Sequence, residues 1–329
     1  MTDESMYAPS VYRKMVRMSP LKYILVEGED DKRCLMYLVE EIFGERDDIQ
    51  IHGAHQIRSD TGAKDRGKVG NREKVEEIAQ MIGTWEGKYA ERFVGFVDRE
   101  FRGFDLDGEI QDLIGKHNIV DRLVWSKGHS VENYFFDFTV LARPLRHHSV
   151  TLFFKDALAL FKQHIEQILR IACAIGLAAW KCNLLKRIRG SVADWSIVEL
   201  SASGLSINIK EWMHNLTTKQ KLSHEDALNL KEAFQEWSIK VSASDFSTVR
   251  WLCDGHIGLT FIWAAFARCV FEVSQKSGQG DPRWEAINVL RSNETVRFNA
   301  CAGEWAFQVA KQSCDYPIDI FAILGISKS

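Results

Sequence analysis

Apolar residues fall in short blocks through the first 145 positions and in long, helically spaced runs after about 150. The block LKYILVEG, closed by Gly28, predicts a short buried strand. Leu35, Leu38, Val39 and Phe43 then recur at helical spacing, with Gly44 as the C-terminal stop. IQIHG predicts a second strand. Residues 54–74 carry no hydrophobic period and read as a loop. VEEIAQMIGTWEGKY predicts a second helix, and RFVGFVDREF a further buried strand that runs straight into acidic residues. GEIQDLIGKH reads as a short helix, RLVWSKG as a fourth strand, and SVENYFF as the opening of another helix. Residues 1–20, ending at Pro20, read as a polar lead-in.

Alternation of strand and helix over residues 20–145 implies an α/β fold, a mostly parallel sheet with helices on its faces. The later texture differs. A long helical pattern covers 151–188, and a second covers 219–240, with Ser223 as N-cap of a helix starting at His224. GLTFIWAAFARCVFEVSQ is helical too. The expected organisation is a lead-in (1–20), an α/β catalytic domain (21–146) and an α-helical C-terminal domain (147–329). Trp195, Trp212, Trp237, Trp251 and Trp263 are expected in the core or interface of that helical part, not as base-stacking platforms.

Composition narrows the class. The 329 residues are 46% hydrophobic and 26% charged, as in ordinary globular chains. Five prolines and 22 glycines exclude collagen-like and low-complexity chains. A net charge of −3 excludes a globally basic nucleic-acid coat, though not a local basic groove. The seven cysteines are odd in number and none has CxxC spacing, which argues against a zinc ribbon or a disulfide framework. Reduced thiols and a cytoplasmic location are the expectation. The longest apolar window, Ile171 to Trp180, is about half of the ~20 residues a membrane span needs, so no membrane association is expected.

The candidate chemistry is positional. The first strand ends in Glu27, Glu29, Asp30 and Asp31, and the third in Asp98 and Glu100. In a parallel sheet the C-terminal strand ends line the ligand crevice. Carboxylates converging there repel unless a cation neutralises them. Oxygen-only donors suit Mg²⁺ or Mn²⁺, the ions of metal-assisted phosphoryl transfer. Acids in the first turn of a helix also serve as caps. That reading covers Asp30 and Asp31, but neither Glu27 before its glycine nor a second acidic strand end.

VEGEDD resembles the first motif of the Toprim family, and FVDRE the second, normally DxD. The resemblance spans about residues 20–135. It implies a Toprim-type sheet and Mg²⁺-dependent action on nucleic-acid phosphodiesters, with Glu27, Asp31, Asp98 and Glu100 as metal ligands. Glu100 departs from the usual second Asp. WSKGHSVENYFF, followed far downstream by WLCDGHIG, resembles a Toprim-like subfamily with an hsvEN signature, which includes the nuclease effector of the PARIS anti-phage system. That likeness implies a toxic nuclease cleaving host tRNA and sequestered by an ABC-type ATPase. It further implies release through a phage trigger protein acting on that ATPase, and a homodimer when active. Within the segment, Lys127 would offset phosphate charge, Glu132 would ligate or orient a metal, and His129 would act as acid or base or contact phosphate. Each also has an ordinary reading, as turn or capping residue. A DNA-nicking nuclease like the OLD enzymes and a catalytically idle Toprim sensor or scaffold remain alternatives.

Arg58, Lys64, Arg66, Lys68, Arg72 and Lys74 make the 54–74 segment basic. Beside an acidic metal site it would clamp a nucleic-acid backbone; alone it is a solvated surface. Its GAKDRGKV fits GxxxxGK but has Val where Ser or Thr belongs, and no strand leads into it. His147 and His148 are expected at the domain junction, and His256 in a turn or core role.

Overall fold

In a computed structural model of the chain, the described residues are 7–58, 70–202 and 204–327. They form two compact units. The first comprises Met1–Arg99, Ile114–Lys127 and Trp305–Ser329, and the second Glu100–Leu113 and Gly128–Glu304. The hydrophobic pattern suggests one boundary near 147; the units instead interleave along the chain.

The first unit opens with α1 (Pro9–Met18), where a polar lead-in was expected. Tyr12 and Val16, one turn apart, are fully buried. Proline sits in its first turn, where a missing N–H costs nothing. Next come β1 (Lys22–Val26), α2 (Glu29–Phe43), β2 (Ile49–Gly53), α3 (Asn71–Gly83) and β3 (Phe93–Val97). β1 pairs in parallel with both β2 and β3. Gly44, with φ +72°, ends α2 in a conformation that suits glycine. Gly95 lets α3 approach the sheet closely: a Cβ there would lie 2.9 Å from Val75 Cγ1 and 3.0 Å from Leu123 Cδ1.

The sheet continues after two short strands of the second unit, β4 (Phe104–Asp105) and β5 (Gln111–Asp112), which pair antiparallel. These replace the helix expected over 108–117. Gly115, with φ +66°, and only isolated buried residues leave no apolar stripe to hold a helix there. β6 (Asn118–Val120) and β7 (Leu123–Trp125) complete the five-stranded sheet in the order β2-β1-β3-β7-β6. β7 is parallel to β3, and β6 antiparallel to β7. The segment 305–327 also belongs to this unit. Phe321 packs on Phe43 at 4.9 Å, and Lys22 and Arg122 donate to the carbonyls of Gly325 and Ile323.

The second unit is mainly helical: α4 (Phe138–His147), α5 (Phe154–Lys181), α6 (Leu185–Ile188), the hairpin β8 (Val198–Ser201) and β9 (Gly204–Ile207), α7 (Ile209–Thr218), α8 (His224–Ala243), α9 (Phe246–Leu252), α10 (Gly255–Ser277), α11 (Pro282–Val289) and α12 (Glu294–Ala310), whose last residues enter the first unit, where α13 (Ile318–Ile323) follows. Ser223 caps α8, its Oγ accepting from the Asp226 N–H at 3.0 Å. Trp212 and Trp263 are fully buried, and Trp237 and Trp251 nearly so. α10 is long and apolar enough to cross a membrane, but it is mostly buried within the fold as a core helix.

Candidate active site

β1 and β3 lie side by side with Val26 opposite Phe96. Glu27 and Asp98, each the first residue past its strand, therefore leave the sheet at the same edge. Glu27 Oε1 accepts from the Asp98 backbone N–H at 2.9 Å and from Arg72 Nε at 3.1 Å. Arg72 stands in the first turn of α3, not in a loop. The Glu27 and Arg72 side chains are 20% and 23% exposed, which screens their attraction less than at an open surface. Nothing local in the sequence links these two positions.

Asp31 is buried, and its Oδ2 accepts from the Gly28 N–H at 2.9 Å, closing the start of α2. The capping alternative thus describes one of its oxygens. Glu29 and Asp30 share the first turn, where the positive helix end favours acids, and both lie near Arg33.

Arg99, to which the sequence pattern assigns no role, is only 1% exposed. Its N–H donates to Ser126 Oγ at 2.9 Å and its Nη1 to the Lys127 carbonyl at 2.8 Å. The Ser126 N–H donates to the Val97 carbonyl. A buried guanidinium thus ties the chain leaving β3 to the chain leaving β7. The available signal was a cation directly between two carboxylates at the end of an apolar strand. Lys127 itself pairs with Asp315 at 2.8 Å.

Among the described residues, no three His, Cys, Asp or Glu side chains converge closely enough to form a metal cage. The donors at the β1 and β3 ends are all carboxylate oxygens. Mg²⁺ commonly binds through one or two carboxylates plus water and substrate phosphate. The residues fit a hard cation of that open kind. Arg58 is exposed, and its N–H donates to the Tyr7 carbonyl. Lys64, Arg66 and Lys68, with the whole of GAKDRGKV, lie outside the described residues. Lys74 Nζ donates to the Ile57 carbonyl at 2.8 Å.

The remaining predicted residues belong to the second unit. Glu100 is exposed, has φ +49°, and its N–H donates to the His129 carbonyl at 2.8 Å. His129 is buried with its ring edge-on to Phe101 at 4.7 Å, and its N–H donates to the Trp251 carbonyl. The HSVEN and CDGHIG segments form one packed assembly. Asn133 Oδ1 accepts from the Ser130 N–H, while its Nδ2 donates to the carbonyls of Arg250 and Cys253 at 2.8 and 2.9 Å. Glu132 is 3% exposed and faces His256 Nδ1 at 3.4 Å; Glu294 lies 3.5 Å from the same nitrogen. Burial alone would lower the His256 pKa, yet its pairing with Glu294 and the charges of Glu132 and Asp254 raise it to about 9. Pairing with His256 in turn holds Glu294 below the usual carboxylate range. His256 is thus a charged partner of Glu132, a role the expected turn or core assignment missed. His147 ends α4 and His148 caps it. All seven cysteines are unbridged.

Comparison with known protein families and with characterised proteins returned no match.

Proposed function

We propose that this chain is a Mg²⁺-dependent, Toprim-type endonuclease with tRNA as its favoured substrate, serving as the toxic effector of an anti-phage system. In this reading an ABC-type ATPase sequesters it until a phage protein triggers release, and it acts as a homodimer. The observation that carries the catalytic part is the placement of Glu27 and Asp98 at the ends of adjacent parallel strands, joined by the 2.9 Å hydrogen bond. The tRNA, ATPase and trigger rest on the resemblance of HSVEN and its companion segment alone.

Glu27 and Asp98 would hold the metal, with Asp31 as a further ligand. The bound ion would polarise the phosphodiester and lower the pKa of a water. Arg72 brings a planar, fork-shaped donor to the Glu27 carboxylate, a geometry equally suited to a phosphate oxygen. Arg99 fixes the backbone that carries Asp98. Lys127 would offset charge on the transferring phosphoryl group.

A second reading, a catalytically idle Toprim scaffold, is favoured by the occupation of Glu27 by Arg72. A paired gel assay separates the two. Wild type and Glu27→Gln would be incubated with Mg²⁺ or Mn²⁺ against total tRNA and supercoiled plasmid. The amide retains an acceptor for the Asp98 N–H but loses the charge. Discrete tRNA fragments from wild type alone support the proposal, and loss of those fragments with EDTA supports the metal. Plasmid nicking with intact tRNA points to a DNA nuclease. Equal activity of wild type and variant removes Glu27 from the mechanism.

A further inference from the structure

Two donors converge on one oxygen at the end of β1. Glu27 Oε1 accepts from the Asp98 backbone N–H at 2.9 Å and from Arg72 Nε at 3.1 Å. A carboxylate oxygen offers about two lone-pair sites, so these two donors fill Oε1. They differ in what holds them. The Asp98 N–H follows directly on β3, which is paired on both sides, with β1 and with β7. Arg72 reaches Glu27 through a flexible, part-exposed side chain. Its backbone is fixed in the first turn of α3, where Val75 is fully buried and Lys74 Nζ donates to the Ile57 carbonyl. The guanidinium can therefore change partner by rotamer alone, without moving the helix.

The first turn of α3 is an uncommon place for a cation. The N-terminal end of a helix carries positive partial charge and favours anions. Glu27 offsets that misfit for Arg72. A divalent cation at the end of β1 competes for the same carboxylate. On Oε1 it meets an oxygen already filled, and on Oε2 it lies beside a guanidinium of like sign. A phosphodiester oxygen, by contrast, suits both the fork of Arg72 and the N-terminal turn of α3.

We infer that Arg72 is an exchangeable counter-cation that couples metal binding to nucleic-acid binding. It competes with the metal for Glu27, and it passes to a backbone phosphate when a nucleic acid arrives, which opens Glu27 to the metal. This rests on the metal-dependent nuclease reading above and makes the Arg72–Glu27 contact a control on that site. By linkage, RNA tightens metal binding and the metal tightens RNA binding by the same factor. A site of this kind holds its metal weakly alone and firmly only with substrate in place.

The test measures Mn²⁺ binding to the full chain from the electron paramagnetic resonance signal of free Mn²⁺. Titrations are run without and with a phosphorothioate RNA hexanucleotide, which keeps the backbone charge and resists cleavage. A protein-free titration corrects for Mn²⁺ held by the RNA. Wild type binds Mn²⁺ weakly alone and about tenfold or more tightly with RNA. Arg72→Gln binds Mn²⁺ without RNA at least ~tenfold more tightly than wild type, because a unit charge beside the site is gone, and RNA adds little further. Arg72→Lys, which keeps the charge, stays close to wild type without RNA. Circular dichroism confirms that the variants are folded. Should Arg72→Gln fail to fold, Arg72→Met, which keeps the stem and loses the charge, takes its place. An Mn²⁺ affinity in the uncharged variant no tighter than that of wild type, or an equal tightening by RNA in both, overturns the inference and leaves the metal site standing. Absence of Mn²⁺ binding in wild type and variant alike, with and without RNA, overturns the metal-dependent reading itself and the inference with it.

Discussion

Gly255 is where the HSVEN segment and the start of α10 meet, and adding one methyl group there probes that packing directly. A Cβ at 255 would lie 2.5 Å from Glu132 Oε2 and 2.9 Å from Glu132 Cβ, and would overlap Ser130 Oγ. Comfortable contacts are about 3.5–4.0 Å, so the overlap is about 1 Å. Neither neighbour yields easily, because Asn133 pins their backbone to the carbonyls of Arg250 and Cys253. Overpacking of this kind costs about 1–3 kcal/mol, against at most ~1 kcal/mol gained from helix propensity. Gly303, in α12, supplies the control, since a Cβ there meets nothing within 4 Å. Gly303→Ala should therefore stabilise by ~0.5–1 kcal/mol. Urea denaturation followed by tryptophan fluorescence should move the two midpoints in opposite directions. In Gly255→Ala, NMR titration should also show the His256 pKa falling from about 9 as Glu132 is displaced. A Gly255→Ala midpoint at or above that of wild type would refute the packing argument.

Three further outcomes are expected. Asn133→Ala strips one buried and one part-buried carbonyl and one buried N–H of their partners and should cost about 2–3 kcal/mol, measured by the same denaturation. His117, in the first unit, is held down to about 4 by burial, which outweighs the pull of Asp319 at 3.4 Å. The unfolded chain therefore takes up this proton first as pH falls, so stability is present above about 6.5 and is lost between there and about 4, by up to ~3 kcal/mol. His117→Gln should flatten that part of the stability–pH curve, and an unchanged slope would contradict the burial argument. Under the proposed mechanism Glu27→Gln should abolish Mg²⁺-dependent cleavage, with circular dichroism showing the variant folded, since the amide still accepts from the Asp98 N–H.

Much of the frame was legible because its signals are local. β1 and β3 are apolar blocks that end in acids, so the placement of Glu27 and Asp98 followed from strand period and parallel topology. Ser223 and Gly44 mark helix ends by chemistry that acts within one turn. α1 was not legible, because its apolar stripe is narrow and surrounded by Arg and Lys, and its burial depends on the sheet. The 108–117 segment failed for the converse reason: its local spacing suggests a helix that no tertiary surface supports. The contacts of Arg72 with Glu27 and of Arg99 with Lys127 in the first unit, and of His256 with Glu132 in the second, join residues far apart in sequence. No periodicity encodes such pairs. Gly255 and Gly258 admit Glu132 and Phe136 where the two segments approach one another.

The interleaving of the first unit has a consequence for how the protein is made. Its sheet is complete once residue 127 is synthesised, but Asp315, Asp319 and Phe321 are added only after the second unit has been built. Until then Lys127, His117 and Phe43 lack the partners they hold in the finished fold. Chains emerge from the ribosome at about 5–20 residues per second and fold as units. The unit bearing Glu27 and Asp98 therefore makes its last contacts only after translation has passed residue 321.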